Sequence, residues 1–438
     1  MSTKRNYRRT ALFLITVMCL TGCSRGSSDS GGAAPSIPEP VTLSFIYEGG
    51  DSVANQALQE VVDSFNDSHP GIRINGISSE AGAGSYQQFL LKKNAVGEFP
   101  DMLEMKDTEL YVKANLLSPI PQEITGLLEA PAELAGQVYT APMSRSLPLA
   151  IVYNRDVFAK AGITAEPANW AEFLRICAKI KAAGISPIVV GGKDARHLAY
   201  WSDYFFGANV YADRPDWNAD KSSGTASFMD KNAASAVKDM QELWNRGYVN
   251  PSWLYTDDSE TAAQLALGKA GMLYTGVWAL EAIKQANPGT NIGVFAPPDR
   301  QGRTVVRESS PLRGFALSAE AAGEPGKLAA FTDFLHYFYD PVQYARYLEV
   351  VKGLPATKEQ VTYPSEDATG AFIAIADNPH TVKVLAMNDY WGEKVMPDGF
   401  RDWFLGLLQY TLAQNRPNAA QLMQQADEQW SQRRVSFP

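Results

Sequence analysis

The sequence predicts an α/β protein, and three observations carry that prediction. The first is the order of patterns at the start of the globular part. Val41 to Tyr47 alternates as a strand, Asn55 to Asn66 places Leu58, Val61, Val62 and Phe65 on one helical face, and Ile72 to Ile74 begins a second strand. A βαβ start implies a parallel pair with a right-handed crossover. The second is size: roughly 400 residues follow the leader described below, more than one core usually serves, so two domains are expected. The third is the stretch Gly268 to Trp278. A helix over Thr261 to Leu267 is stopped by Gly268, the apolar run Ala270 to Tyr274 suits a buried strand, and Gly276 turns the chain before a helix over Trp278 to Ala286. A large aromatic is thereby placed at a strand's carboxyl end, where open α/β sheets form ligand crevices. A plain core position is the competing reading of Trp278.

The first residues read as an address. Lys4, Arg5, Arg8 and Arg9 precede an apolar run, Ala11 to Leu20, that is too short to cross a bilayer of about 30 Å as a stable helix. Leu20-Thr21-Gly22-Cys23 resembles a bacterial lipobox, in which the cysteine thiol carries diacylglycerol and becomes the first mature residue. Residues 1–22 are therefore expected to be a signal peptide. Residues 23–40, rich in Ser, Gly, Ala and Pro, are expected to be a disordered tether on lipidated Cys23.

At 45% hydrophobic and 20% charged residues the chain has the composition of a globular protein. Its formal net charge is −9, and removing the basic leader makes the remainder more acidic, which argues against nucleic acid and against an anionic membrane surface. Of the three cysteines, Cys19 leaves with the leader and Cys23 is acylated, so the mature chain cannot form a disulfide. Cys177, in the pattern Trp170, Phe173, Leu174, Cys177, Ile180, reads as a small core hydrophobe.

Further elements follow in order. Helices are expected over Tyr86 to Val96, Tyr111 to Leu117, Trp170 to Ala183, Leu198 to Phe206, Ala233 to Arg246, Lys327 to Tyr339, Phe400 to Asn415 and Ala419 to Arg434. Strands are expected over Ile185 to Val190 and Asn291 to Ala296; those over Phe99 to Glu104, Val305 to Ser310 and Phe315 to Ser318 are implied by the resemblance that follows.

Several of these segments carry a family resemblance. Gly268 to Trp278 is similar to the pattern G-K-A-A-M-x-x-x-G-x-W, and Phe65 to Ile74 to F-x-x-x-x-P-x-I-x-V. Pro100-Asp101-Met102 looks like the P-D-[VI] strand. Tyr153-Asn154-Arg155-Asp156-Val157-Phe158-Ala159-Lys160-Ala161-Gly162 resembles Y-N-K-D-x-F-x-K-A-G, and Gly353 to Ala356 resembles a G-x-x-P turn. Together these motifs, in order over residues 41–430, resemble the family 1 extracellular solute-binding proteins, the sugar-binding receptors of bacterial ABC importers. The resemblance implies a periplasmic-binding-protein-like fold: two discontinuous α/β lobes joined by hinge crossings, with a ligand cleft between them. It implies residues 41–148 and 313–353 in one lobe, and 149–312 and 354–438 in the other.

Catalytic motifs are missing from the sequence. The four histidines, His69, His197, His336 and His380, have no zinc-type spacing, and there is no G-x-S-x-G elbow, P-loop or dinucleotide fingerprint. A pair of carboxylates for glycoside hydrolysis can be drawn from any acidic chain, so a secreted carbohydrate-active enzyme is the rival reading, beside a receptor for a non-sugar solute. Binding has better material. Aromatic rings match the apolar faces of sugars, and Asp, Glu, Asn and Arg match their hydroxyl edges. Residues of these types at expected strand or helix ends are Glu48, Asp51, Glu80, Tyr86, Lys106, Asp107, Arg145, Trp201, Asp203, Trp278, Glu308, Arg313 and Trp391. The resemblance implies cleft positions for Glu48, Glu80, Asp107, Arg145, Trp201 and Trp278. The reading is then a monomeric, lipid-anchored receptor on the extracytoplasmic face of the cell membrane. It takes a carbohydrate ligand and ABC permease subunits as partners, with no cofactor, metal or catalysis.

Overall fold

The computed structural model describes residues 40–49, 52–79, 86–308, 310–414 and 418–435. The expectations for the leader, the tether and Cys23, and those for Asp51 and Glu80, fall outside the described residues.

Among the described residues, the eleven strands are β1 Val41–Tyr47, β2 Ile72–Ser78, β3 Met102–Met105, β4 Leu117–Ser118, β5 Ala150–Asn154, β6 Ser186–Val189, β7 Ala270–Thr275, β8 Ile292–Phe295, β9 Val305–Glu308, β10 Gly314–Ser318 and β11 Val382–Leu385. They form a five-stranded sheet in the order β2-β1-β3-β10-β4, a four-stranded sheet β6-β7-β5-β8 and a two-stranded pair β11-β9. The opening β1 and β2 are parallel with Val41 opposite Ile72, as the βαβ pattern requires. The sheets are nonetheless mixed: β10 runs antiparallel to both β3 and β4, and β5 antiparallel to both β7 and β8.

Each large sheet has its own apolar packing. The five-stranded sheet lays Leu43, Phe45, Phe315 and Leu317 against Val61, Phe65 and Phe334 of the helices Ser52–Ser68 and Pro325–Phe338. On the four-stranded sheet, Ile151, Tyr153, Ile188, Met272 and Tyr274 meet a helical layer that includes Trp170, Phe173, Cys177, Trp201 and Phe205. Its other face buries Val152, Val189 and Leu273 against Leu265, Ile283 and Phe372. Cys177 is fully buried and unpaired, and burial pushes its thiol pKa well up, so it behaves as the small hydrophobe its spacing indicates.

Element boundaries move by a few residues for identifiable reasons. The helix ahead of β7 runs Asp258–Ala266 and starts on a reciprocal cap between Asp257 and Glu260; Gly268, at φ +67°, ends the following turn. The expected helix over Tyr111–Leu117 lies earlier, at Thr108–Lys113, because Asn115 takes a left-handed turn and Leu117 enters β4. The aromatic helix Ala199–Phe206 continues into a π-turn, Gly207–Tyr211.

Where the chain passes between the sheets it is hydrogen-bonded to itself. Ala141 pairs with Phe315, and Arg145 pairs with Leu354 through N–H···O bonds of 2.8 and 2.7 Å. Gly314 sits at φ +151°, and a Cβ there would lie 2.1 Å from the Ala141 carbonyl oxygen, so only glycine fits this pairing. The last passage comes later than the Gly353 turn indicates. The Glu129 amide donates to the Ala356 carbonyl, Lys358 donates to Leu127, and Val361 and Tyr363 pack with the first sheet's apolar cluster. The helix Asp367–Asp377 then joins the four-stranded sheet through Phe372 and Ala376.

Candidate functional site

Trp278 stands where β7 ends. It is the N-cap of the helix Ala279–Ala286 and is 56% exposed, in a chain whose other large aromatics are mostly buried. Val277 and Leu280, half-buried against Leu265 and Ile283, fix the helix start beneath it. Gly276 has a different role from the tight turn expected of it. Its φ is not positive; instead the indole packs against it, and a Cβ would lie 2.0 Å from the nearest ring atom. Glycine here is a seat for the ring. Tyr200 closes one side, with ring centroids 6.1 Å apart. A half-exposed pair of tilted rings results, open to solvent on its outer face.

Next to Tyr200 is a polar cluster drawn from three parts of the chain. Arg307 of β9 holds Asp389 at 3.0 Å and Asp203 of the helix Ala199–Phe206 at 3.5 Å, and Arg313 approaches Asp389 at 3.5 Å. Asp203 is 9% exposed, and its Oδ2 has the ion pair but no aligned hydrogen bond. Burial raises its pKa to about 6, opposed by the charges of Arg307 and Arg401. Burial raises the Tyr200 pKa, Asp258 adds to the rise, and Arg307 and Arg401 oppose it, so charge from the cluster reaches the ring pair.

The ends of β1 and β3 supply another group. The Glu48 amide donates to Glu104 Oε2 at 2.9 Å, and Lys106 bonds Glu48 and stands 3.4 Å from Glu104. Asp107 follows on the same strand exit. Its pKa is raised, first by desolvation and with contributions from Asp398 and Glu48, against Arg313 and Lys106. Solvent reaches Asp107, yet enough protein surrounds it to disfavour its charge, as in a crevice. Arg313, which also approaches Asp389, lowers the Asp107 pKa, so charge from the polar cluster reaches this group. Arg145, beside the paired passage, donates from Nε to the Pro355 carbonyl at 2.9 Å and has Glu129 and Glu308 at 3.7 and 4.0 Å.

Of the expected site residues, Asp203 and Arg313 lie in the Arg307–Asp389 cluster, Trp278 packs beside Tyr200, Arg145 stands 4.0 Å from Glu308, and Glu48 and Asp107 follow the ends of β1 and β3. Three others are engaged by protein elsewhere. Tyr86 is buried, and its hydroxyl is used by the carbonyls of Ile46 at 3.0 Å and Glu104 at 2.8 Å. Trp201 is 2% exposed and packs 4.9 Å from Tyr274 in the core. Trp391 packs against Ala132, Leu134 and Leu312, so its ring is engaged by protein. Sequence reasoning passed over Tyr200, Arg307 and Asp389. Each is one or two positions from a residue it selected, Trp201, Glu308 and Trp391, so the segments were found and the facing side chain was not.

A separate concavity of about 1060 Å³ is lined by Trp170, Leu174, Lys238, Glu242 and Arg300 among others. It shares no wall with the groups above, and two of its arginines are paired locally, Arg300 with Asp239 and Arg246 with Glu242 at 2.8 Å. Among the described residues no group of three or more His, Cys, Asp or Glu side chains is placed to hold a metal ion. No helix among them is long and apolar enough to cross a membrane.

Two mixed α/β layers, joined by paired chain passages and carrying polar and aromatic groups at their strand ends, make up a periplasmic-binding-protein fold. The chain belongs to the bacterial extracellular solute-binding protein family, whose model matches residues 49–344. It is 31% identical over 266 residues to a binding protein of Brucella abortus (strain 2308), covering 58% of this chain and 60% of that one. It is 23% identical over 325 residues to the multiple sugar-binding protein of Streptococcus mutans, covering 70% and 74%. In fold it is similar to the solute-binding protein RafE in complex with raffinose, with a TM-score of 0.68 and 20% identity over 90% of this chain and 99% of that one.

Proposed function

We propose that this chain is the extracytoplasmic, substrate-binding lipoprotein of an ABC importer. It takes a sugar or oligosaccharide between two lobes and delivers it to the permease. The lobes are residues 41–148 with 313–353, and 149–312 with 354–438; residues 354–363 stay against the first. Binding brings the lobes together, and the permease reads the closed form. Cys23 carries the lipid, and the chain works as a monomer without cofactor or catalysis.

The observation that carries this reading is the seated, solvent-open ring of Trp278 beside Tyr200, next to a polar cluster of matched charge. Asp203 and Asp389 balance Arg307 and Arg313, so a neutral hydroxylated ligand meets both donors and acceptors without bringing charge. The sugar-binding name of the Streptococcus mutans relative and the raffinose bound to RafE point the same way.

The test is a thermal-shift screen over mono- and oligosaccharides, polyols and amino acids. A ligand at 100 times its Kd should stabilise the chain by about 2.7 kcal/mol. Stabilisation by amino acids alone would replace sugar with another solute. Steady degradation of a glycan by catalytic amounts of pure protein would make the chain an enzyme. Replacing Cys23 with Ser should abolish lipid attachment and leave ligand binding intact; lost binding would overturn that division of roles.

A further inference from the structure

The loop 387–394 has a construction that the ligand site does not require. Its two ends are pinched together by one buried side chain. Asn218 Nδ2 donates to the Met387 carbonyl at 3.0 Å and to the Lys394 carbonyl at 2.9 Å, while Asn218 Oδ1 accepts from the Tyr211 hydroxyl at 2.8 Å. Asn218 is fully buried, and Tyr390 lies 5.0 Å from the Tyr211 ring. Lys394 also pairs with Asp216. The base of the loop is therefore a rigid part of the helical layer on the four-stranded sheet.

The tip points away from that layer. Trp391 packs against the cluster of Ala132, Leu134 and Leu312, and the Gly392 amide donates to Glu109 Oε2 at 2.9 Å. Glu109 belongs to the helix Thr108–Lys113, which follows β3 of the other sheet, and its remaining partner is Lys113 at 2.9 Å. Between base and tip, Asp389 is held by Arg307 and Arg313, the latter directly before the glycine of the paired passage.

We propose that the loop 387–394 is a clasp that fastens the two layers together, with Trp391 as its positioning residue and Glu109 as its catch. A flexible loop would adapt to either separation of the layers. One pinned at both ends moves with its own layer, so opening must pull Trp391 off its apolar seat and break the Gly392–Glu109 bond. Trp391 thus tunes the balance between open and closed forms. The proposal rests on the two-lobe closure in the reading above, and not on the ligand being a sugar.

The test needs no ligand. Small-angle X-ray scattering would be recorded on the full chain carrying Cys23→Ser, alone and with Trp391→Ala, Glu109→Ala or Glu109→Gln, each checked for folding by thermal melting. The leader and tether are common to all four, so differences in radius of gyration report on the folded body. Trp391→Ala and Glu109→Ala should both raise the radius of gyration, and Glu109→Gln, which keeps an acceptor for the Gly392 amide, should return it towards the parent value. If Trp391→Ala unfolds the protein, the Glu109 pair decides, since that side chain lies on a partly exposed helix face. Identical scattering from folded parent and folded variants would overturn the clasp, as would an expansion that Glu109→Gln fails to reverse. Failure of every sugar in the thermal-shift screen alongside an expanded Glu109→Ala would remove the sugar and leave the clasp standing.

Discussion

Two tryptophans that look alike in the sequence separate sharply in the structure, and their variants should separate too. Trp278 is half-exposed on a glycine seat, so Trp278→Ala should melt near the parent temperature and bind its ligand at least about thirtyfold more weakly, a loss of roughly 2 kcal/mol or more. Trp201 is core, so Trp201→Ala should cost about 3–5 kcal/mol of stability. Melting temperature and affinity measured on both variants check the pair; a collapsed melt for Trp278→Ala would return that ring to the core. Asp203 offers a test by pH. Burial raises its pKa from 3.8 to about 6, so the folded state favours the neutral acid. That contribution to stability is complete below the unfolded value and is lost as pH rises through about 6. The Tm of the parent minus that of Asp203→Asn should therefore be larger at about pH 4 than at about pH 7.5, and an equal difference at both would mean Asp203 titrates normally. Trp201 was a site candidate from its place at a helix end and from the family resemblance, and the helix Ala199–Phe206 has no polar face from which to correct that choice. Ala199 and every residue from Trp201 to Phe206 are buried, leaving Tyr200 as the half-exposed member. Periodicity can orient only a helix that has two kinds of face.

Among elements, those with strong local signals were legible and those fixed by distant partners were not. β7 and its flanks were readable because a capped helix, a glycine stop and a fully apolar run occur in sequence. The loop 387–394 offers no such signal. Its shape depends on Asn218, about 170 residues away in the chain, and a single Asn in a helix does not announce its partners. Gly314 is intermediate: its presence is visible, but the need for it comes from Ala141. Gly314→Ala should therefore cost at least about 1–3 kcal/mol from backbone strain alone, with more from the contact with the Ala141 carbonyl. Denaturant unfolding would check this, and an unchanged midpoint would show that the passage relaxes freely. Gly276→Ala is the complementary case. Its Cβ would displace the Trp278 ring, so ligand affinity should fall in the direction of Trp278→Ala although no ligand-facing atom has been removed.

At the scale of the molecule, composition and the alternation of strands and helices were enough for the α/β class, while strand direction was not. Only the β1–β2 pairing follows from the first βαβ unit; the antiparallel insertion of β10 between β3 and β4 joins segments about 200 residues apart. The late passage after Gly353 was hidden because residues 354–364 carry no period, and it is Val361 and Tyr363, packing on the first apolar cluster, that hold them there.

If the proposed two lobes open and close, the pairing of Ala141 with Phe315 and of Arg145 with Leu354 restricts how they can move. A single-stranded tether lets two bodies swing, slide and spin. Strands bonded side by side resist shear and separation, because either would break N–H···O bonds, and they leave twist as the soft coordinate. Opening and closing then trace nearly one path, and the mouth turns toward the same side on every cycle. A membrane partner that met such a mouth would encounter one approach angle, with little orientational entropy left to lose on docking.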